Sequence, residues 1–327
     1  MSRIYSLLLS ALLIVAMGGL SAYGGGKKDP CTGDNWVEKA KRGCKDLQNA
    51  DLQNADLKNA KLEDADLTVA NLTNADLEGV DLSGANLSGA NLKGANLKGA
   101  NLKGRDLQDA NLEGAKLERA NLKGTILPFA NLTGANLYKA DLSGAILQGA
   151  KLTDAKLTDA NLTGANLRSV KSGGIDGTPR LSAPWMLVKG YLIGPGADLQ
   201  NAHLFNANLE GADLNSANLT GADLNSTNLY KADLSGAFLN RTNLNKVNLR
   251  LANLTGANLE NVSLQPADLS FANLKDANLA GANLTGANLS GITWENTTCP
   301  DETNSDSNAN KSCCGHLNGK VPSAGCD

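Results

Sequence analysis

The sequence has few aromatic residues, few histidines and little net charge, and each shortage excludes a class of protein. Aromatic residues make up 4% of the 327 residues, which is too few for a large core of mixed side chains. The net charge of −3 is far from the strongly positive balance of a nucleic-acid-binding domain. It is equally far from the strongly negative balance expected of a protein that imitates DNA. The 2 histidines leave little material for acid–base catalysis.

Cysteine is missing from the long middle of the chain. The 6 cysteines lie near the two ends, at Cys31, Cys44, Cys299, Cys313, Cys314 and Cys326. Arg3 and the apolar residues 4–17 indicate export, and an even number of cysteines in an exported chain predicts disulfides. Cys31 and Cys44 form the first expected pair. The adjacent Cys313 and Cys314 would close a strained ring with each other, so each is expected to pair with either Cys299 or Cys326.

Leucine, in contrast, recurs at every fifth position. The motif Ala-(Asn/Asp)-Leu-X-X, stepping by five residues, occurs 25 times from Leu47 to Leu167 and 19 times from Leu199 to Leu289. This period fits neither a helix, with about 3.6 residues per turn, nor a flat strand, with a period of about 2. It is typical of a solenoid, in which short repeats stack on their neighbours.

One motif shows how the side chains are expected to point. Ala95 and Leu97 are two residues apart, so in extended chain both face the core, while Asn96 faces outward. Lys98 and Gly99 then turn the corner. We call the residue before each repeated leucine the outward position, and the two residues after it the turn positions.

Over residues 46–291 these motifs resemble the pentapeptide repeat proteins. The resemblance implies an all-β fold, a right-handed quadrilateral β-helix with four motifs per coil and about eleven coils. Residues 20 apart would then be neighbours on the outer surface. On that geometry lysines and glutamates alternate in two columns, which we interpret as a solvated structural face: Lys58, Glu78, Lys98 and Glu118, and Lys93 with Glu113.

Changes in amino-acid composition along the chain divide it into six predicted segments. Arg3 and the apolar residues 4–17 indicate a secretory signal, and a helix capped by Asp34 and ended near Gly43 is expected ahead of the repeats. Two short runs around Lys189 and Gly190 predict a hairpin. The segments are a signal peptide (1–24), an N-terminal cap (25–45), a first run (46–170), an inserted Gly/Pro-rich hairpin loop (171–196), a second run (197–291) and a Cys-rich C-terminal cap (292–327).

Breaks in the motif are the candidates for a contact surface, because exposed apolar clusters often mark interaction sites. Apolar residues replace Asn or Asp at some outward positions, and aromatic residues occupy some turn positions. Either these side chains bind a partner or the insert and caps cover them, and Trp185 could simply hold the insert on the rod. The candidates are Ile126, Phe129, Ile146, Trp185, Tyr191, Tyr230, Phe238, Arg250, Leu251 and Phe271.

No arrangement of residues predicts catalysis, a metal site or a cofactor. Asn304, Asp306 and Asn308 begin like a calcium loop, but the required glycine and final glutamate are missing. Export favours disulfides over a zinc site at Cys313, Cys314 and His316. The candidate catalytic, cofactor-binding and metal-binding residues are therefore none.

The expected function is that of a non-catalytic, exported structural or protein-interaction solenoid, located in a periplasm, a thylakoid lumen or outside the cell. Its partner would be an unidentified protein, with no nucleic acid and no stable membrane insertion after signal cleavage. A monomer is expected, because the Cys-rich tail blocks the end through which some relatives pair. The resemblance also implies an alternative, a DNA mimic that binds DNA gyrase or topoisomerase IV.

Overall fold

The structure is a computed structural model that describes residues 31–307, 311–319, 322 and 324–326. The expected signal peptide, residues 1–24, lies outside the described part, as do residues 25–30 and Asn308. The elements are helix α1 (Trp36–Arg42), strands β1 (Met186–Val188) and β2 (Tyr191–Ile193), and a 3-10 helix (Ser305–Ser307). None of the helices in these described ranges is long and apolar enough to cross a membrane.

The repeats form a β-helix in which each coil contains 20 residues. Parallel single-residue bridges join outward positions 20 residues apart, from Asp46 with Asp66 to Asn278 with Thr298. Each coil therefore contains four motifs and has four sides. The repeated leucines and alanines point inward, as at Ala95 and Leu97, both 0% exposed. Burying each leucine contributes about 1.5–3 kcal/mol, so the β-helix is held by a continuous apolar centre.

The outward Asn or Asp makes two kinds of hydrogen bond in many motifs. The Oδ1 atom of Asn96 accepts a hydrogen bond from the backbone N–H of Lys98 at 3.4 Å, which closes the turn. Its Nδ2 atom donates to Oδ1 of Asp76, one coil earlier, at 2.9 Å. The same contact joins Asn243 to Asp223 at 3.0 Å. An outward amide ladder thus supplements the backbone bridges and explains the residue preference.

Charge columns run along the outside, as the 20-residue spacing predicted. Lys93 and Glu113 are 3.0 Å apart and Lys98 and Glu118 are 3.6 Å apart, measured from Nζ to Oε1. Lys58 lies 4.0 Å from Glu78 but only 2.9 Å from the outward Asp76. These exposed pairs contribute little stability individually, and they prevent like charges from stacking.

The insert breaks the period without breaking the coil. The ladder passes from Lys171 directly to Asp198, and β1 and β2 form an antiparallel hairpin beside it. Gly194, five residues before Leu199, occupies a core position that would otherwise carry leucine. The Trp185 indole covers it, since a Cβ atom on Gly194 would lie 2.4 Å from the ring. Trp185 packs against the buried cores of both runs.

The N-terminal cap contains the expected helix, but a different residue caps its N-terminus. Asn35, and not Asp34, caps α1, because the Asn35 Oδ1 atom accepts the backbone N–H of Glu38 at 3.2 Å. The prediction of Asp34 as the cap was therefore wrong by one residue. Gly43 ends α1 in the left-handed conformation, and the cap contains the Cys31–Cys44 disulfide.

The C-terminal cap continues the coil before folding over it. Trp294 and Cys299 occupy the two core positions after the last repeated leucine and are almost fully buried. The chain then turns back, with an antiparallel bridge between Thr298 and Asn304. The sequence left open whether Cys313 or Cys314 pairs with Cys299. The structure contains the disulfides Cys299–Cys313 and Cys314–Cys326.

Candidate interaction surface

Two isoleucines interrupt the outward amide ladder in successive coils. Ile126 and Ile146 are bridged to each other through the backbone, and Ile126 still donates its N–H to the carbonyl of Arg105 at 2.8 Å. Their side chains cannot supply the two hydrogen bonds that Asn or Asp makes at this position. The coil is therefore intact here, while its surface is apolar, and Ile146 is 39% exposed.

Phe129 extends this apolar surface from the neighbouring corner. It occupies the second turn position with a φ of 59° and is 59% exposed. Its ring lies over Gly149 in the next coil, where an added Cβ atom would be 2.6 Å from it. Ile126, Phe129 and Ile146 lie in two adjacent coils, and we call these three residues the first apolar patch.

A second group of candidates lies on one corner of the second run, across three successive coils. Tyr230 and Arg250 hold the first turn position, and Leu251 and Phe271 hold the second. The Arg250 guanidinium carbon is 5.8 Å from the centroid of the Phe271 ring, within range of a cation–π contact. Leu251 is 41% exposed and Phe271 is 54% exposed. We call these four residues the second apolar patch.

The remaining candidates are not joined to either patch. Phe238 is exposed at an outward position between Asn218 and Asn258, so it stands alone in its column. Trp185 and Tyr191 are only half-exposed, because they hold the insert on the coil. The Tyr191 hydroxyl accepts the backbone N–H of the next coil at His203, at 3.1 Å.

Two exposed apolar residues were not among the candidates from sequence. Val69 holds a second turn position with a φ of 58°, a conformation that a β-branched residue rarely adopts. Phe205 is exposed near the hairpin, with the Lys189 ammonium 6.0 Å from its ring centroid. Both break the motif as Phe129 does, so the same reasoning could have found them.

Charged side chains of the rod and of the C-terminal cap form structural pairs. A hydrogen bond from Lys58 holds the pKa of the Asp76 carboxyl below its ordinary value. His316 Nδ1 lies 2.7 Å from Oδ2 of Asp301, inside the C-terminal cap. In the parts of the chain that the structure covers, no group of three or more His, Cys, Asp or Glu side chains is placed to hold a metal ion.

The repeats match a known family along most of their length. The family described as Pentapeptide repeats matches in 8 copies, over residues 46–84, 65–104, 106–144, 135–171, 196–229, 227–265 and 264–292. The chain belongs to the pentapeptide repeat family. Members of this family form right-handed β-helices, in agreement with the coil described above.

Several solved pentapeptide repeat proteins are similar to this one. HetL, involved in heterocyst differentiation regulation in the cyanobacterium Nostoc sp. strain PCC 7120, is 32% identical over 80% of this chain and 93% of its own, with a TM-score of 0.31. A pentapeptide repeat protein of the Arabidopsis thaliana thylakoid lumen is 30% identical over 30% of this chain and 64% of its own, with a TM-score of 0.19. QnrB1, a plasmid-mediated fluoroquinolone resistance protein, is 16% identical over 72% of this chain and 77% of its own, with a TM-score of 0.24. No curated protein matches the sequence.

Proposed function

We propose that this pentapeptide repeat protein is a non-catalytic, exported interaction protein, a rigid rod of about eleven regular coils that binds a protein partner through the first apolar patch. The observation that carries the proposal is the loss of the amide ladder at Ile126 and Ile146, in adjacent coils beside the exposed Phe129. Other outward positions also lack Asn or Asp, as at Lys116 and Phe238, but in the described coils only Ile126 and Ile146 place two apolar residues at bridged outward positions.

Both isoleucines cost the coil stability at their outward positions. Asparagine at residue 126 could donate to the outward Asp106, which bridges it one coil earlier. Each such hydrogen bond is worth about 0.5–1.5 kcal/mol. Isoleucine forgoes it and leaves apolar surface in water. Burial of that surface by a partner would recover the loss, and a flat apolar centre with a polar rim is how protein interfaces are built.

The interaction is tested by restoring the motif at the patch. In the triple variant Ile126→Asn/Ile146→Asn/Phe129→Gly every new residue is a common motif residue, so the rod should fold at least as well as before. The matched control is Lys116→Asn/Lys156→Asn, which restores outward positions on another side of the rod. Proteins cross-linked to the wild type in its own compartment should be retained by the control and lost, by about tenfold, from the triple variant. An unchanged set of cross-linked proteins would place the interface elsewhere.

Export is supported by the three disulfides, which persist in oxidising compartments such as a periplasm, a thylakoid lumen or the extracellular space. Cell fractionation with immediate thiol alkylation tests this directly. The mature protein should lack residues 1–24 and have all six cysteines protected from the alkylating reagent. Full-length protein with alkylated cysteines in the cytosol would show that it is not exported.

The alternative function as a DNA mimic is not favoured by the outer surface. Lys116, Lys151, Lys156 and Lys171 place positive charge at outward positions, where a DNA mimic would place negative charge. We therefore expect that micromolar protein leaves the supercoiling activity of purified gyrase unchanged. Inhibition or protection of gyrase in that assay would favour the alternative.

A further inference from the structure

The two disulfides of the C-terminal cap differ in their access to solvent. Cys299 and Cys313 are both 0% exposed, so their disulfide is enclosed in the cap. Cys314 and Cys326 are both partly exposed. Thiol–disulfide exchange requires a thiolate to reach a sulfur atom, so access separates the two bonds. The third disulfide is intermediate, because Cys44 is 1% exposed and Cys31 is partly exposed.

The exposed disulfide holds a segment that takes the place of one more coil. The backbone N–H of Leu289 donates to the carbonyl of Ala324 at 2.9 Å, and Asn288 forms a parallel bridge with Ala324. These are the contacts that each coil makes with the next one along the rod. Cys326 follows two residues later, and its bond to Cys314 ties this segment to the cap.

Gly325 shows how closely the segment lies against the last coil. Its φ is +91°, and an added Cβ atom would lie 2.3 Å from the carbonyl carbon of Leu289 and 2.4 Å from the nitrogen of Ser290. Both are backbone atoms that cannot move aside. The fit of residues 324–326 therefore depends on the disulfide on one side and on a bare glycine on the other.

We propose that the Cys314–Cys326 disulfide is a thiol-exchange site for a dithiol reductant, and that its reduction releases residues 324–326 from the last coil. One thiolate of the reductant attacks one sulfur of the pair and forms a mixed disulfide, which frees the other cysteine as a thiolate. The second thiol of the reductant then displaces the attached cysteine. Two electrons pass to the protein, its two sulfurs take up two protons, and the reductant leaves as a disulfide.

The rest of the cap has its own attachments and stays in place. The buried Cys299–Cys313 disulfide joins the returning chain to the core. The Ser305 hydroxyl donates to the carbonyl of Trp294 at 2.6 Å, and Nδ2 of Asn318 donates to the carbonyl of Pro300 at 2.7 Å. Reduction would therefore uncover one side of the last coil only.

The first experiment orders the disulfides by reactivity in the intact protein. The oxidised protein is treated with increasing dithiothreitol, trapped with an alkylating reagent and digested for mass mapping. Cys314 and Cys326 should be modified first, at about tenfold less reductant than Cys299 and Cys313 need. Reaction of the buried pair together with or before the exposed pair would overturn the proposal. This outcome does not depend on the proposed partner or on export.

The second experiment follows the Leu289 amide by hydrogen exchange. Selective reduction, or the double variant Cys314→Ser/Cys326→Ser, should speed its exchange by about tenfold or more. The Leu269 amide lies one coil earlier and donates to the carbonyl of Asn288 in the last coil at 3.0 Å, so it should keep its protection. Continued protection of Leu289 after the bond is opened would show that the segment does not depend on it.

A pair of glycine variants separates the segment from the redox chemistry. Gly325→Ala should release the segment and expose the Leu289 amide while the Cys314–Cys326 bond remains closed. Gly319→Ala is the matched control in the same tail, with a φ of +72° and nothing within 4 Å of the added Cβ atom. Equal exchange at Leu289 in both variants would contradict the role assigned to this contact.

Discussion

The regular runs and the insert fill the same core in different ways. In the runs each motif places its own leucine in the core, and every bridge joins residues 20 apart. In the insert the spacing is 19 residues between Asn161 and Arg180 and 27 residues between Lys171 and Asp198. Gly194 has no side chain at its core position, and the indole of Trp185, nine residues earlier in the chain, fills the space that a leucine would occupy. The coil thus requires continuous backbone pairing and a filled centre, and it does not require the motif itself.

This difference has an energetic consequence for the rod. Each coil of a solenoid contacts only its neighbours, so cooperative unfolding depends on every junction along the stack. Within either run the junctions are alike. At the insert, contact between the two buried cores includes one residue, Trp185, that packs against both. We expect this junction to be where the rod separates when it is weakened.

The largest effect is expected from Trp185→Ala. Removing the indole should cost about 3 kcal/mol and leave a cavity over Gly194. Because the two runs then lose their shared side chain, calorimetry should show two unfolding transitions in place of one. Leu117→Ala, in the middle of the first run, is the control and should lower stability within a single transition. If both variants unfold in the same way, the insert is no weaker than a regular junction.

A smaller effect is expected from Gly194→Ala, which crowds the same site. Its Cβ atom would lie 2.4 Å from the Trp185 ring, so the indole must shift, at a cost of about 1–3 kcal/mol. Denaturant unfolding gives the loss of stability, and near-UV circular dichroism reports the moved indole. Gly315→Ala has nothing within 4 Å of the new atom and should change neither measurement. A neutral Gly194→Ala variant would mean that Trp185 does not fill the core position.

The regular part of the fold could be predicted from the sequence because one short rule is repeated. Five-residue spacing fixes which residues face inward, and stacking by 20 correctly placed Lys93 beside Glu113 and Lys98 beside Glu118. The hairpin could also be found, because Lys189 and Gly190 interrupt two apolar runs. The position of Trp185 over Gly194 could not be predicted, because it depends on the three-dimensional path of the insert before the chain rejoins the β-helix.

The exposure of the candidate residues was predicted in part, for a related reason. Departures from the motif identified Phe129 and Ile146 as surface residues, and both are exposed. The same rule also selected Tyr191, whose hydroxyl instead accepts a hydrogen bond from the His203 backbone. A departure inside a regular run keeps the inward or outward direction of the position it occupies, because its backbone is fixed by the neighbouring coils. A departure inside the insert can turn inward, so its sequence alone does not decide its role.

The polar ladder offers a pH-dependent test within the regular part. The hydrogen bond from Lys58 lowers the pKa of Asp76 from 3.8, so the folded state binds this proton less readily than the unfolded chain does. The pair therefore contributes stability above pH 3.8 and loses it as the pH falls through the lower, folded-state value. Asp76→Asn should reduce stability at pH 7 and match the wild type once the pH is below that value.

Urea unfolding from pH 7 to pH 2 measures this contribution. Lys58→Gln removes the other partner and should flatten the same part of the pH profile, and the double variant should behave like either single variant. If the free energy of unfolding of each variant differs from that of the wild type by the same amount at every pH, the pair does not act through protonation.

The smallest effect is expected at the buried threonines that replace the motif alanine. Thr227 is 0% exposed, and its hydroxyl donates to the carbonyl of Leu204 at 2.8 Å. That carbonyl also accepts the backbone N–H of Ala207 at 3.0 Å, so Thr227→Ala leaves no acceptor unpaired. Since alanine holds this position in most coils, the loss should be only about 0.5 kcal/mol.

Thr227→Val separates the hydroxyl from the volume, because it keeps the size and removes the donor. Similar small losses for both variants in urea unfolding would mean that the regular coil tolerates a changed core residue wherever its backbone pairs persist. A loss for Thr227→Ala as large as that for Trp185→Ala would remove the distinction between the runs and the insert. The site would then be a second place where the core depends on one particular side chain, although its coil spacing is regular.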